Sequence, residues 1–257
     1  GMKPFQNIAV DHMTLLLDPQ LYDVMYFVFR AVFGVSREEV LYERRRPGPD
    51  GKREVSMTFA SRIGKGAAQG TAELDNTIIA SVQPSEPAGE RSHVREMLAE
   101  HAAAAHWQHI ALRTPDLVAF HRHCLERGVN FITPILVDEH EDLIQVFSGE
   151  LYHPGGRPSA VFFEFVQRNP TPDALKKLAE HNREAWFRDT TFLGLYQEKE
   201  NEYRSGKVTP LLDPDLHHRL KAVAGGRQVF ELGEDDVAKA ERTMLDYAAG
   251  KVKAVAR

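Results

Sequence analysis

Between residues 8 and 168 the chain runs twice through one order of segments, and that repetition restricts it to few architectures. A strand-like stretch over 8–17 leads into an apolar-rich helical stretch over 21–33, which Gly34 stops. Stretches 39–46 and 53–62 flank Pro47-Gly48-Pro49-Asp50-Gly51 and read as a hairpin. A third strand over 70–82 ends at Gln83-Pro84-Ser85-Glu86-Pro87, and 92–101 reads as a short helix with Ser92 as its N-cap. Then the order restarts. A strand over 107–113 precedes a helix over 116–127 that Asp116 caps and Gly128 closes, and strands over 129–132, 143–148 and 160–167 follow. The halves barely match in sequence, so the repeat is one of structure. Short connections make antiparallel pairing the default within each half. The expected fold class is α+β. Paired βαβββ modules, about 5–90 and 104–169 of a domain over 1–169, would form two similar sheets facing a common cleft.

After Arg168 the character changes. Segments 171–186, 198–204, 215–224 and 234–249 read as helices rich in alanine and charge, a C-terminal helical extension over 170–257. It could cover the cleft, pad the sheet or make a homodimer contact. The formal net charge is −5 and the basic residues are dispersed, which argues against nucleic acid or an anionic membrane as partner. The one basic run, Arg44-Arg45-Arg46, is read as the solvated end of the hairpin. No apolar run approaches the roughly 18 residues of a spanning helix. The single cysteine, Cys124, excludes an intrachain disulfide and a cysteine-based zinc site and suits a reducing compartment, so a cytoplasmic protein is expected. Its place within a helix reads as that of a small buried hydrophobe.

One strand carries a charge where apolar packing is due: Ala160-Val161-Phe162-Phe163-Glu164-Phe165-Val166-Gln167-Arg168. A carboxylate among Val and Phe needs a cation or several donors to offset desolvation. Two other strands carry a central histidine each, in Val10-Asp11-His12-Met13 and Gln108-His109-Ile110-Ala111. Alternation puts Ile8, Val10, His12 and Thr14 on one face, Trp107, His109 and Ala111 on another, and Phe162, Glu164 and Val166 on a third. A lone strand histidine is more often a core histidine bonded to backbone, and a lone strand glutamate is commonly an edge residue. All three at corresponding strand centres of a repeat favour a metal site instead: His12, His109 and Glu164, the two-histidine, one-carboxylate set of an open non-haem iron(II) centre. His101, His106, the helical His121 and His123, His140, His153, His217 and His218 are expected at the surface.

The chain resembles the catalytic half of the 4-hydroxyphenylpyruvate dioxygenase family, within the vicinal oxygen chelate superfamily. The resemblance rests on Val10-Asp11-His12, Gln108-His109-Ile110-Ala111-Leu112, Arg127-Gly128-Val129-Asn130-Phe131, Leu143-Ile144-Gln145-Val146-Phe147 and Phe162-Phe163-Glu164-Phe165-Val166-Gln167-Arg168. It implies that His12, His109 and Glu164 bind Fe(II), that Gln108 and Gln145 face the substrate, and that Phe147 and Phe162 wall it. Ser85 stands where the family has asparagine, and His93 where it has a substrate-facing glutamine. The separate N-terminal domain of that family is not expected. The segment leading into its closing helix is replaced here by Asn169-Pro170-Thr171-Pro172. The iron shell is thus kept while the substrate shell is altered.

By that resemblance the expected function is an iron(II)-dependent dioxygenase using dioxygen and a 2-oxo acid or related chelating small molecule. Three alternatives stay open. An extradiol ring-cleaving dioxygenase would use the same ligands with an added acid–base group, for which His93 is the candidate. A non-redox lyase or isomerase would run on Zn, Ni or Mn, which accept the same donors. A metal-free binding protein would leave Glu164 paired with arginine or exposed.

Overall fold

The computed structural model describes residues 8–47, 54–63, 77–84, 92–185 and 195–255. Its strands are β1 (Ala9–Leu17), β2 (Val40–Pro47), β3 (Glu54–Ile63), β4 (Thr77–Pro84), β5 (Ala105–Arg113), β6 (Leu136–Asp138), β7 (Leu143–Glu150) and β8 (Phe162–Arg168). All lie in one mixed sheet, ordered β2-β3-β4-β1-β5-β8-β7-β6. In each half the first strand pairs parallel with the last, β1 with β4 and β5 with β8, and the strands between pair antiparallel. At the centre β1 and β5 pair antiparallel, so the pattern reads alike from either edge and relates the halves by a pseudo-twofold. The fold is therefore α+β with paired βαβββ modules. The two separate sheets expected from sequence are a single one, because β1 and β5 bond directly, and both halves line one cavity.

Local chemistry explains the helices between the strands. α1 (Pro19–Phe27) starts at Asp18, whose carboxylate accepts from the Gln20 N–H at 2.8 Å, with Pro19 where an N–H would be orphaned anyway. It runs on through a π-helical turn, Val28–Val32, before Gly34 at φ +72°. α2 (His93–Glu100) joins the halves, but the Ser92 hydroxyl makes no capping bond. α3 (Leu117–Leu125) is capped by Asp116, which accepts from the Ala119 N–H at 3.0 Å. Residues 129–132 form no strand. Val129 and Phe131 make isolated bridges to Leu212 and Ser148, and β6 supplies the module's second strand. The hairpin turn at 48–51, the start of the strand expected at 70–82, and Ser85 lie outside the described residues.

The larger core lies between α3 and the outer face of the second half, where Leu117, Phe120, Cys124, Ile144, Val146 and Phe165 meet. Burial pushes the Cys124 thiol up to about 12, in keeping with a packing role. The helical extension does two of the jobs open to it. α4 (Pro172–Ala185) pads the sheet through Leu178, and α5 (Leu195–Ser205) sets Leu195 against Phe147 and Phe162 beside the cavity. α6 (Pro214–Ala224) and α7 (Glu234–Val255) close over Gly128, where a Cβ would lie 2.8 Å from Leu216. No described helix is long and apolar enough to cross a membrane.

One surface assignment is corrected. His121 is buried, and its Nδ1 lies 2.7 Å from Nε2 of buried His181 on α4. Helical periodicity gives His121 the same buried face as Leu117 and Cys124. One ring must donate and the other accept, so the pair suits two neutral imidazoles. Burial, helped by His181, takes His121 from 6.5 down to about 3. A lowered folded value means that the unfolded chain takes up the proton first, so this contribution is complete above pH 6.5 and shrinks as pH falls. Between pH 7 and 5, His121→Leu should lose about 2 kcal/mol less unfolding free energy than the parent in urea titrations.

A buried ion pair fixes α5 to the sheet. Lys199 Nζ lies 2.9 Å from Glu150 Oε1, both side chains being buried, and Glu150 Oε2 accepts from the Ala160 N–H at 3.0 Å. Lys199→Met leaves the carboxylate uncompensated and should cost about 3–5 kcal/mol in urea unfolding. Adding Glu150→Gln, which keeps an acceptor for Ala160, should recover most of that loss.

Candidate metal centre

The site is built at the central pairing of β1 with β5, where strict alternation fails twice. Val10 pairs with Leu112 and His12 with Ala111, so Asp11 is an extra residue on β1. Thr14 pairs with His109 and Leu15 with Trp107, so Gln108 is an extra residue on β5. Each is a β-bulge placed just before a histidine. Each bulged side chain turns toward that histidine: Asp11 Oδ1 lies 2.9 Å from His12 Nδ1, and Gln108 Oε1 lies 3.0 Å from His109 Nδ1. The bulge also moves Val10 out of the face it was expected to share with His12, leaving it exposed. Ile8 packs against the core under α3.

With both Nδ1 atoms donating, both Nε2 atoms present lone pairs, and they meet Glu164 from β8. His12 Nε2 is 3.1 Å and His109 Nε2 2.9 Å from Glu164 Oε2, and the two nitrogens are 3.3 Å apart. Glu164 is 2% exposed, and imidazoles rather than an arginine hold it. Three acceptors so close need a positive charge among them. Without a metal, a proton on His12 serves. Burial opposes the charged ring most strongly, but the Glu164 and Asp11 carboxylates together outweigh it and raise His12 to about 10. Glu164 is held below the usual carboxylate range despite burial, chiefly by the His12 charge, while burial lowers His109. A divalent metal fits the same place. Donors about 2.1 Å from an ion and at right angles lie about 3.0 Å apart, which matches this triangle. His12, His109 and Glu164 are also the one cluster of metal-ligating groups found among the described residues.

The pseudo-twofold shows where the centre is open. Glu164 pairs with Ala111, two residues beyond His109, and the corresponding partner of Thr14, two beyond His12, is Ala80. A methyl group thus occupies the place that a fourth ligand would take. On that side lies a cavity of about 630 Å³, with Ile78, Ala80, Val82, Phe147 and Leu195 among its apolar lining and Thr14, Thr58 and Gln145 among its polar lining. Asp138, Glu139, His140 and Glu141 form part of its wall.

Of the residues expected to face a substrate, Gln145 and Phe147 line this cavity. Phe162 is buried beneath His109, stacked at 5.2 Å between ring centroids, and is not part of the lining. Gln108 is 2% exposed behind His109 and bonds through Nε2 to His93 Nε2 at 3.1 Å, so neither reaches the cavity wall. Ser85 is outside the described residues. Three contributors were not singled out from sequence. Thr14 Oγ1 lies 3.0 Å from His109 Nε2. Arg168 holds Asp11 through two 2.7 Å bonds, and Asp11 itself is buried. Alternation assigns Asp11 to the wrong face, and its only sequence signal is adjacency to His12.

No family model and no curated protein matches the chain. Solved structures resemble part of the chain at low identity. A variant of 4-hydroxymandelate synthase from Streptomyces coelicolor is 20% identical, with a TM-score of 0.48, covering 69% of this chain and 55% of its own. Methylmalonyl-CoA epimerase from the same organism is 18% identical, with a TM-score of 0.43, covering 62% and 96%. A hypothetical protein from Bacillus halodurans is 15% identical, with a TM-score of 0.41, covering 63% and 96%. The chain spans about half the length of the synthase. Likeness at this level concerns the path of the backbone alone.

The centre makes a direct prediction about metal content. His12→Ala and Glu164→Ala should each abolish stoichiometric metal in protein purified without chelator, measured by elemental analysis, with circular dichroism confirming the fold. Full retention in both variants would remove the centre.

Proposed function

We propose that the protein is an iron(II)-dependent dioxygenase acting on a 2-oxo acid or a related small chelating substrate. The observation that carries this reading is the three-donor triangle, closed by protein on one side and open to the cavity where Ala80 replaces a fourth ligand. Bound iron(II) would supply an electrophilic, redox-active centre with positions for two substrate oxygens and for dioxygen.

The chain's own residues supply the rest. Two neutral imidazoles and one carboxylate would leave a site charge of about +1, which attracts an anionic chelator. Arg168 lines the cavity but is committed to Asp11, so attraction of the anion falls to the metal site. Ile78, Val82, Phe147 and Leu195 line the cavity and would shield the reacting face from water, and the Gln145 amide, also in the lining, would donate to a substrate oxygen. His93, the acid–base group that an extradiol reaction would call on, is buried against Gln108, which favours the 2-oxo acid reading over ring cleavage.

Anaerobic loading with iron(II), followed by a panel of 2-oxo acids, should give oxygen uptake matched one to one by carbon dioxide release. A yellow ring-cleavage product from catechols, or isomerisation without oxygen uptake, would replace the proposal. Failure of every 2-oxo acid with iron loaded would end it. Ala80→Glu restores a carboxylate at the twofold mate of Glu164. It should tighten iron retention against a chelator and reduce oxygen uptake at least tenfold, because the open side is then filled.

A further inference from the structure

We propose that the two bulged residues make the imidazoles unequal metal donors, with Asp11, anchored by Arg168, as the positioning residue that sets the strength and orientation of His12. The inference rests on the metal reading of His12, His109 and Glu164.

The two histidines have equivalent places in the fold but different supports. Behind His12 stands a carboxylate, Asp11, 2.9 Å from Nδ1 and 3% exposed. Arg168 grips both of its oxygens, Nε to Oδ2 and Nη2 to Oδ1, each at 2.7 Å. Arg168 lies four residues after Glu164 on β8, hence on the same face of that strand. One strand of the second module thus supplies the anionic ligand and also the cation that fixes the support of the first module's histidine. Behind His109 stands a neutral amide. Gln108 Oε1 lies 3.0 Å from Nδ1, and its Nε2 is 3.1 Å from His93 Nε2, which makes the chain Gln108–His93 uncharged when His93 is neutral.

A carboxylate accepting Nδ1–H draws that proton away and raises electron density at Nε2, whereas an amide carbonyl does so far less. His12 is therefore the stronger donor. The bidentate Arg168 grip also removes the freedom of Asp11 to swing, so the ring plane of His12 is fixed from behind. Neither bulged side chain lines the cavity, so the effect passes through the ligands and not through substrate contact.

The test compares the parent protein with Asp11→Asn and Gln108→Glu, using cobalt(II) alone as probe. Affinity is read by competition with a chromogenic chelator, the ligand field by the visible absorption of the cobalt, and folding by circular dichroism of the metal-free protein. Asp11→Asn should weaken cobalt binding 10- to 100-fold and shift the absorption bands. Gln108→Glu should strengthen binding about tenfold, a gain that structural damage cannot produce and that tests the inference even if Asp11→Asn fails to fold. Unchanged affinity and spectrum in Gln108→Glu, with a parent that binds cobalt, would overturn the inference and leave the metal reading intact. A parent that binds no cobalt would overturn both.

Discussion

Everything at the centre of this fold depends on how one buried carboxylate is satisfied. Glu164 sits in a strand whose neighbours are Val and Phe, 2% exposed, where a lone charge is untenable. Two imidazoles reach it from β1 and β5, each oriented by a partner behind its Nδ1. The resulting triangle carries more lone pairs than hydrogens, and the structure is arranged around the cation that it requires. The bulges that aim Asp11 and Gln108, the bond from Arg168 to Asp11 and the stacking of Phe162 on His109 all serve the geometry of that triangle.

Much of this was legible in the residues. The twice-run order of strand, helix and strands anticipates paired modules, since period-2 and period-3.6 patterns are local properties of the chain. Glu164 is conspicuous because desolvation makes a mid-strand carboxylate costly, and two histidines at matching places in other strands point to its partners. The neighbours of the ligands were harder to read. Alternation assumes an unbroken ladder, and each bulge adds one residue, which turns Asp11 inward and takes Val10 off the ligand face. No side-chain pattern announces such a bulge, because it is set by pairing with another strand.

The same reasoning accounts for the other differences. Residues 129–132 are apolar enough for a strand, yet their bridges go to Leu212 and Ser148, and no local signal foretells partners so far along the chain. His121 and His123 are two apart on a helix and point to different faces, which reads as surface placement, whereas the companion of His121, His181, sits on a helix that starts 55 residues after the start of α3 (172 − 117). The substrate-facing roles taken from resemblance divide along the same line. Gln145 and Phe147 lie on an unbroken strand segment and line the cavity. Gln108 is bulged, and its amide is taken up behind His109.

The central antiparallel pairing also has a consequence for the order of assembly. His12 and Glu164 are 152 residues apart in sequence, and Arg168 is 157 residues from Asp11. As the chain emerges from the ribosome, β1 can pair with β4, but its other edge must wait for β5, which brings Arg113 within 3.7 Å of the buried Asp11, and the bidentate Arg168 must wait for the end of β8. Closing a loop of that length is slow compared with forming either hairpin. A nascent first half therefore presents an open strand edge with a carboxylate that lacks its arginine partners. That edge invites pairing with other chains, and the same charge discourages it until the second half arrives.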